Sequence, residues 1–401
     1  MPTILTYYDE PYLQETVARV VSIDPIDESH LRVVLDHSIF YPEGGGQPCD
    51  TGTIAGLAVD NVEERGDQVL HRVCAKIDEA CAAGLATDAL VPCMVRLKIR
   101  IDRSEQHTAQ HLLSAVLLRM MDAHTLSFHL GDTWSSIDIN LSSFDRADAD
   151  IVEDEVLRII RDGYAVITHR CPPEDPAWFP LRKEPAVEAQ VLRIVEIDGI
   201  EYSACCGTHV PNTGAIGAFR IIRIEKFKGG TRIHFIAGGR AYNDYRRLAA
   251  LARDSAAAGS MAEDALPVAI VGWRDRIKAL ERALSYADDR LASLEAAALD
   301  AATAVGSIVH ASSESTDAGS RLARFLAARG RIAVVSCPAE LRVVAASPST
   351  GVAASSLDVG AILGPLAKAN FGKGGGGKTF FQAAFQDQMS MEAFVDSLAT
   401  L

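Results

Sequence analysis

The stretch HTAQHLLSAVL, residues 107–117, has the spacing of a buried helix and carries two histidines four residues apart. Apolar residues recur at helical intervals and Ser104 is a good N-cap, so we predict a helix from about Ser104 to Met121. In such a helix His107 and His111 lie one turn apart on the same face. Their imidazoles can therefore reach one metal ion.

The segment CCGTH, residues 205–209, repeats this spacing with Cys205 and His209, after a predicted strand and within a glycine-containing turn. Thiolate and imidazole suit zinc, and two such pairs complete a tetrahedron. Each pair alone is weak evidence, because a lone cysteine is often a small buried apolar residue. Together the pairs predict a zinc site. Spacing alone does not separate Cys205 from Cys206 as ligand, nor does it tell whether all four ligands bind at once.

Around these motifs the 401 residues predict an α+β protein of several domains. Residues 1–95 alternate apolar and polar side chains in short runs around a glycine-rich turn at 40–48, which predicts a small N-terminal β-barrel. Residues 96–245 predict an α+β domain that contains the zinc site.

The remaining residues predict two further parts. Residues 246–302 are rich in Ala, Leu, Glu and Arg, which predicts a helical linker or a short coiled coil. Residues 303–401 predict an α/β domain, with strands at RIAVVSCP and LRVVAASP and an amphipathic helix at DVGAILGPLAKAN.

A glycine-rich segment, residues 372–378, follows that helix and predicts a flexible loop that can approach phosphate closely. Its letters fit GxxxxGK, but a Walker loop needs a strand before it and a helix after it. Here a helix precedes it, and Phe380 and Phe381 occupy the expected helix start. This context disfavours a nucleoside triphosphatase.

Composition excludes several classes of protein. The chain is 48% hydrophobic and 23% charged, as in ordinary globular proteins, and its net charge of −14 argues weakly against a protein coated in nucleic acid. The eight cysteines form no regular framework, the N-terminus has no signal peptide, and no apolar run approaches the roughly 20 residues of a membrane helix. We therefore predict a cytoplasmic protein with reduced thiols that does not bind a membrane.

At the metal motifs the chain resembles the stand-alone alanyl-tRNA editing proteins of the long form, which are similar to the editing half of alanyl-tRNA synthetase. The matching segments are FYPEGGGQPCDTG at 40–52, HTAQHLLSAVL at 107–117, SFHLGDTWSSIDI at 127–139, CCGTHVPNTGAIGAFRI at 205–221 and RIHFIAGGRA at 232–241. Residues 360–385 resemble the glycine-rich signature of the DHH-associated nucleic-acid-binding domain, which implies that role for residues 303–401. Threonyl-tRNA synthetase editing domains share the paired metal motifs, whereas FYPEGGGQ and the C-terminal domain favour the alanine branch.

The resemblance implies an activity and a ligand set. The zinc ligands would be His107, His111, Cys205 and His209, with Cys206 where the family usually has glycine. No class II synthetase catalytic domain precedes the barrel, so the implied activity is editing in trans. The implied reaction is hydrolysis of the ester in seryl-tRNA, and also glycyl-tRNA, of the alanine acceptor. Zinc would either activate water or orient the substrate.

Discrimination against alanine requires a polar group that bonds the serine hydroxyl. Ser127 is the first candidate, because its position resembles the discriminating polar residue of the family, and Thr108 is the second. His129 either contacts substrate or caps a strand. An ordinary loop serine is the alternative for Ser127.

Two groups of basic residues predict contacts with tRNA(Ala) phosphates. The first follows two strands near the zinc site and comprises Arg220, Arg223, Lys226, Lys228 and Arg232; the second flanks the glycine-rich segment and comprises Lys368, Lys373 and Lys378. A solvated surface role is the alternative for each residue taken singly. A homodimer through the C-terminal region is a further expectation.

Three rival functions remain open at this stage. In the first, zinc is structural and the protein is a non-catalytic tRNA-binding module. The second is threonine-type editing, which removes serine from threonine tRNA. The third is a DHH-type phosphodiesterase, which is disfavoured because no DHH triplet occurs in the sequence.

Overall fold

A computed structural model describes residues 2–171, 179–182, 192–349 and 358–398. The chain forms two compact units, residues 1–254 and 255–401. Helices and several separate sheets occur in the chain, which confirms the predicted α+β class. No helix within the described ranges is long and apolar enough to cross a lipid bilayer.

The first unit contains most of the strands. They are β1 Ile4–Leu5, β2 Glu15–Pro25, β3 His30–Leu35, β4 His37–Ser38, β5 Gly52–Ile54, β6 Leu57–Arg65, β7 Gln68–Cys74, β8 Leu90–Val95, β9 Thr125–Leu130, β10 Ser135–Ile139, β11 Val166–Cys171, β12 Leu192–Ile197, β13 Glu201–Ala204, β14 Phe219–Phe227 and β15 Gly230–Ala237. Its helices are α1 Thr6–Asp9, α2 Ile77–Ala82, α3 Leu97–Met121, α4 Arg146–Asp162 and α5 Gly238–Ala258, and the boundary between the units falls within α5.

Six strands close a barrel in the order β2-β3-β7-β6-β5-β8. Alternate side chains of these strands point inwards and form an apolar core of their own. The glycine-rich turn at 40–48 is held in place by the buried Asp50, which accepts hydrogen bonds from the Tyr41 backbone N–H (2.7 Å) and from Arg100 Nε (2.9 Å). Because Arg100 belongs to α3, the ion pair between Asp50 and Arg100 fixes the glycine-rich turn at 40–48 against the helix that carries the two histidines.

Helix α3 begins at Leu97, about two turns before the predicted start at Ser104. The prediction of Ser104 as N-cap was wrong, because its hydroxyl contacts Thr208 Oγ1 (2.7 Å) inside the protein instead of capping the helix. The helix ends as predicted at Met121, where Asp122 adopts the left-handed conformation. Its central turns are fully buried, so most of its stability comes from packing.

A four-stranded sheet in the order β14-β15-β10-β9 packs one face against α3 and α4. The other face carries a row of polar residues in register across all four strands: Ser127, Asp138, Arg232 and Glu225. A separate three-stranded sheet, β11-β12-β13, leads into the CCGTH segment. The two elements that carry the metal motifs are therefore α3 and the loop after β13.

The second unit has five strands, β16 Val309–Ser312, β17 Ala333–Cys337, β18 Arg342–Ala346, β19 Lys373–Gly376 and β20 Phe380–Ala384, in the order β16-β17-β18-β20-β19. Its helices are α6 Leu266–Ala302, α7 Thr316–Ala328, α8 Val359–Ala369 and α9 Gln388–Ser397. The strands expected at 331–338 and 341–348 and the helix expected at 358–370 are all present.

The glycine-rich segment of this unit is an edge strand, and the prediction of a flexible loop at 372–378 was wrong for its central residues. Strand β19 pairs with β20 from Lys373↔Ala384 to Gly376↔Phe381. A Cβ on Gly376 would lie 2.2 Å from the Phe380 carbonyl oxygen, and a Cβ on Gly360 of α8 would lie 2.7 Å from the Gly376 carbonyl oxygen. The glycines thus allow close backbone approach within a packed sheet.

Candidate metal centre

The four predicted ligands lie together in the first unit. Their ligand atoms, the ring nitrogens of His107, His111 and His209 and the Sγ of Cys205, all lie within 4.8 Å of one another. Cys205 Sγ is 3.4 Å from Nε2 of both His107 and His209. Cys206 is exposed and is not a member of this group. The geometry therefore selects Cys205 of the two adjacent cysteines.

The Nδ1 atom of His107 faces Gln47 Oε1 at 2.9 Å. The same oxygen accepts the Thr208 backbone N–H (3.1 Å), while Gln47 Nε2 donates to Thr208 Oγ1 (2.9 Å), and these contacts fix the orientation of the amide. Because Gln47 Oε1 can only accept, His107 carries its proton on Nδ1. Its Nε2 is therefore free as a ligand atom.

His111 is supported in the same way by a carboxylate. Its Nδ1 lies 2.9 Å from Glu201 Oε2, and Glu201 also accepts hydrogen bonds from Arg182 Nε (2.8 Å) and from the Ser203 hydroxyl. His111 and Glu201 are both buried. The carboxylate is thus compensated on both sides and holds the proton of His111 on Nδ1.

His209 is supported by Thr108. The Thr108 hydroxyl donates to the Ser104 carbonyl oxygen (2.8 Å), so it acts as acceptor for His209 Nδ1 (3.1 Å) and for the Val210 backbone N–H (3.2 Å). All three imidazoles therefore have an acceptor at Nδ1, and His107 and His209 present Nε2 to Cys205. Such outer partners orient the ligands of metal sites and fix their tautomers.

Electrostatics favour the thiolate form of Cys205. Burial opposes ionisation, but His107, His209 and His111 outweigh it and hold the pKa of Cys205 well below its usual value. Burial lowers the pKa of His209 to about 3, which keeps its imidazole neutral. Although burial also acts on His111, Glu201 and Cys205 raise its pKa to about 10. Neutral imidazoles and a thiolate are the forms that bind a soft or borderline cation, so a cation entering this group would have to displace a proton from His111.

The loop between Cys205 and His209 has little freedom. A Cβ on Gly207 would lie 2.1 Å from His107 Cε1, so glycine is required by close approach. Arg193 Nη1 donates to the carbonyl oxygens of Cys205 (2.8 Å) and Gly207 (2.9 Å) and holds the loop from the neighbouring strand β12. The donor set and its fixed geometry fit one tetrahedral cation.

The structure places Ser127 and His129 differently from the metal ligands. Phe128 stacks on the His107 ring, with 5.4 Å between ring centroids. Because side chains alternate along a strand, Ser127 and His129 lie on the opposite face of β9. The Ser127 hydroxyl donates to Asp138 Oδ2 at 2.6 Å, and Asp138 accepts from Arg232 Nε at 2.6 Å.

The first group of basic residues lies along β14, β15 and the turn between them. Its three arginines are paired with carboxylates: Arg220 with Asp244, Arg223 with Glu225 and Arg232 with Asp138. Lys226 and Lys228 are exposed, and no carboxylate within the described ranges pairs with either. The second group, Lys368, Lys373 and Lys378, is exposed in the other unit, around α8 and β19.

Comparison with known proteins indicates the class of protein to which this fold and site belong. Residues 192–234 match the family model described as the Threonyl and Alanyl tRNA synthetase second additional domain. The matched segment starts at β12 and includes Cys205 and His209. Fold and site thus define a protein that carries a second additional domain of the tRNA synthetase type.

Individual relatives define the class more narrowly than the family model does. The chain is 32% identical over 245 residues to the alanyl-tRNA editing protein AlaX-L of Pyrococcus horikoshii, covering 59% of this chain and 58% of that protein. It is 32% identical over 243 residues to the alanyl-tRNA editing protein Aarsd1 of Danio rerio, covering 57% of each. It is 31% identical over 398 residues to the alanine–tRNA ligase of Korarchaeum cryptofilum, covering 94% of this chain and 42% of the ligase.

The predicted resemblance is therefore confirmed, and this chain is a homologue of the alanyl-tRNA editing proteins and of the alanine–tRNA ligases. It spans about half the length of the curated relatives it matches.

Sequence reasoning did not find Gln47 and Glu201, two of the residues that support the ligands, and it singled out Thr108 only for substrate discrimination. Gln47 lies in the FYPEGGGQ segment, which was interpreted as a turn and as a segment that favours the alanine branch, but not as part of the metal site. Glu201 begins the strand before the CCGTH segment. A polar residue next to a metal motif is the signal that could have pointed to Glu201. Gln47 is 60 residues from His107, and only the fold brings the two together.

Proposed function

We propose that this chain hydrolyses the ester of mischarged tRNA(Ala), chiefly seryl-tRNA(Ala) with glycyl-tRNA(Ala) as a second substrate, at a zinc site. The observation that carries the proposal is the buried group of His107, His111, Cys205 and His209, in which each imidazole is held at Nδ1 by its own acceptor. The named activity of the editing relatives supports the same reaction class.

The four side chains would hold the cation through three Nε2 atoms and one Sγ atom. When bound, zinc would supply a Lewis acid that polarises an oxygen or lowers the pKa of water once one of the four ligands leaves or the coordination expands to five, because four protein ligands fill a tetrahedral site. Gln47, Glu201 and Thr108 keep the ligand atoms aimed at one point. The rigid CCGTH loop keeps Cys205 in place while substrate enters. These residues thus contribute orientation, which costs no reorganisation during the reaction.

Selection of serine over alanine requires a group that bonds the additional hydroxyl. Of the two residues predicted for this role, Thr108 lies at the cluster, but its hydroxyl already donates once and accepts twice. Ser127 is bonded to Asp138 on the other face of β9. Ser127, Thr108 and His129 stay proposed recognition residues, and the contacts favour a positioning role for Thr108.

The RNA partner is proposed from the basic residues. Lys226 and Lys228 are the strongest candidates of the first group for binding phosphate, because the arginines beside them are already paired with carboxylates. Removing one lysine that binds a phosphate should reduce the salt dependence of tRNA binding by roughly one unit of slope. Lys226→Gln measured across salt concentrations tests this, with Lys98→Gln of α3 as a control elsewhere on the surface.

We also propose a homodimer formed by α6. Its exposed apolar residues recur at alternating intervals of three and four, as in a coiled-coil seam: Ile270, Trp273, Ile277, Leu280, Leu284, Ala287, Leu291, Leu294 and Ala298. Nine consecutive seam positions are more than four heptads, which is enough for a stable pair.

Charges beside the seam favour a parallel pair. In that register Arg276 faces Glu281 of a second copy, and Arg290 faces Glu295. An antiparallel pair would instead place Arg276 and Arg290 on the same edge. An Ala287→Cys variant should form an intermolecular disulfide, because a seam residue meets itself in a parallel pair. Arg282→Cys, on the outer side of the helix, is the matched control; equal crosslinking of both would contradict the seam.

The activity is tested by incubating the purified protein with seryl-tRNA(Ala) and alanyl-tRNA(Ala), with and without a chelator, and following ester loss. We expect rapid, chelator-sensitive loss of serine with alanine spared. Spontaneous rates only, in a folded zinc-loaded sample, would contradict the substrate assignment. Loss of serine from threonine tRNA would then support threonine-type editing. Tight tRNA binding without any ester loss would support the binding module with structural zinc.

A further inference from the structure

A second group of metal-ligand side chains lies on the barrel, away from the CCGTH loop. His30, Asp60 and Cys74 each offer one ligand atom, and these atoms all lie within 4.8 Å of one another. Unlike the buried group, these three residues are partly exposed. Nothing in the proposed hydrolysis uses them.

The barrel strands bring the three residues together. His30 at the start of β3 pairs directly with Cys74 at the end of β7. On β6 the pairing with β7 shifts between Val59 and Asn61, and Asp60 lies at this irregularity. A bulge redirects side chains, because the added residue is left out of the ladder. Three neighbouring strands thus direct an imidazole, a thiol and a carboxylate to one point on the outer surface.

His30 has the outer support that a metal-binding imidazole needs. Its Nδ1 lies 2.9 Å from Asp27 Oδ1 and 3.0 Å from Asp27 Oδ2. The Asp27 carboxylate is itself held by the backbone N–H of Ser29 at 2.8 Å. A carboxylate behind a histidine keeps the proton on Nδ1 and presents Nε2 to the cation.

One neighbour opposes a cation here. Arg72 donates to both oxygens of Asp60, from Nε at 2.7 Å and from Nη2 at 3.1 Å. Each carboxylate oxygen has two lone pairs, so the pair leaves acceptor capacity on Asp60. The guanidinium also places a positive charge beside the group, which weakens cation binding at a partly exposed site by a modest factor.

We propose that His30, Asp60 and Cys74 form a second metal site, which binds a borderline divalent cation such as Zn²⁺ or Co²⁺ with a coordination position left open to solvent. The donor set of one nitrogen, one sulfur and one oxygen favours these cations over Mg²⁺ or Ca²⁺, which prefer oxygen ligands alone. With three ligands and partial exposure, the site should bind more weakly than the buried four-ligand group. It stands independently of the proposed hydrolase activity.

The test is titration of the metal-free full chain with Co²⁺ alone, followed by visible absorption and by the thiolate-to-cobalt charge-transfer band. We expect two equivalents bound by the wild type and one by Cys74→Ser, with the loss confined to the weaker equivalent. Cys81→Ser is the matched control, because Cys81 is an exposed cysteine outside both groups, and it should retain two. His30→Ala should lose the same equivalent as Cys74→Ser.

Two substitutions of residues beside the proposed ligands test the second site further without removing a ligand. Asp27→Asn should weaken the second equivalent roughly tenfold, the usual effect of losing an outer partner. Arg72→Gln should strengthen it, since a competing cation is removed. A wild type that binds one equivalent, or a Cys74→Ser variant that binds two with an unchanged charge-transfer band, would overturn the proposal. Circular dichroism of each variant checks that the barrel is folded.

Discussion

The buried group around Cys205 and the surface group around Cys74 use similar ligand types but differ in what surrounds them. In the buried group three imidazoles each have an acceptor at Nδ1, supplied by the barrel, by α3 and by β13. In the surface group one imidazole has such a partner, and an arginine competes for the carboxylate. The comparison teaches that ligand spacing alone does not define a strong site, because outer contacts decide how well the ligand atoms are aimed.

The largest effect should come from removing Cys205, and the adjacent Cys206 serves as the control. Cys205→Ala removes the thiolate of the buried group and should reduce metal-dependent deacylation by about 100-fold or more, as expected when a metal ligand is removed. Cys206→Ala is a closely matched control, since Cys206 lies outside the group, and should stay within a few-fold of the wild type. Initial rates with seryl-tRNA(Ala), together with the zinc content of each variant, measure the two effects. Equal losses in the two variants would break the assignment of Cys205.

The next effect tests the outer contacts. Thr108→Val keeps the shape of the side chain but leaves His209 Nδ1 without its acceptor, and should lower zinc affinity or activity roughly 10- to 100-fold. Thr108→Ser restores the hydroxyl and should recover most of the loss. If Thr108 instead bonded the substrate, zinc affinity would be unchanged in Thr108→Val and only the serine-to-alanine ratio would fall.

A third prediction uses His71, a buried histidine of the barrel that has no acidic partner among the residues that the structure describes. Its Nδ1 donates to the Val33 carbonyl oxygen (3.0 Å) and its Nε2 accepts from the Ser38 hydroxyl (2.8 Å), which leaves no place for a second proton. Burial lowers the pKa of His71 to about 4. A depressed histidine pKa means that the unfolded chain binds the proton first, so stability is present above pH 6.5 and is lost as pH falls towards 4.

The loss attributable to His71 between pH 7 and pH 5 should be about 2 kcal/mol in the free energy of unfolding of the barrel. Urea unfolding at the two pH values measures it. His71→Gln lowers stability at pH 7 but should reduce the pH dependence. An unchanged pH dependence in this variant would show that His71 does not titrate on unfolding.

The smallest effect should come from Ser127. Its hydroxyl bonds Asp138 within the polar row of the four-stranded sheet, so Ser127→Ala should cost about 1 kcal/mol of stability. From these contacts we expect a change in discrimination of less than threefold, measured as the ratio of kcat/KM for seryl- and alanyl-tRNA(Ala). A large fall in that ratio would support the recognition role that the sequence predicted. Asn140→Ala, at the end of β10, is a control for general effects on the sheet.

Much of this molecule follows from local patterns. The four-residue intervals in HTAQH and CCGTH indicated the metal group, since a helix and a tight turn convert spacing directly into proximity. Ser104 was misjudged because capping preference is local, whereas its contact with Thr208 depends on the whole fold. The glycines at 372–378 were misjudged because glycine serves both mobile loops and close backbone packing, and only the pairing with β20 separates the two.

The position of Gln47 bears on whether the part of the chain that carries the metal-ligand residues can function without the barrel. Its amide comes from a segment between the barrel strands, yet it bonds His107 and Thr208 on two other elements. A fragment that starts after residue 95 would retain all four metal ligands and lose this clamp. The segment between the barrel strands therefore contributes to the candidate metal centre, and a shorter relative without the barrel would need another hydrogen-bond acceptor for His107 Nδ1.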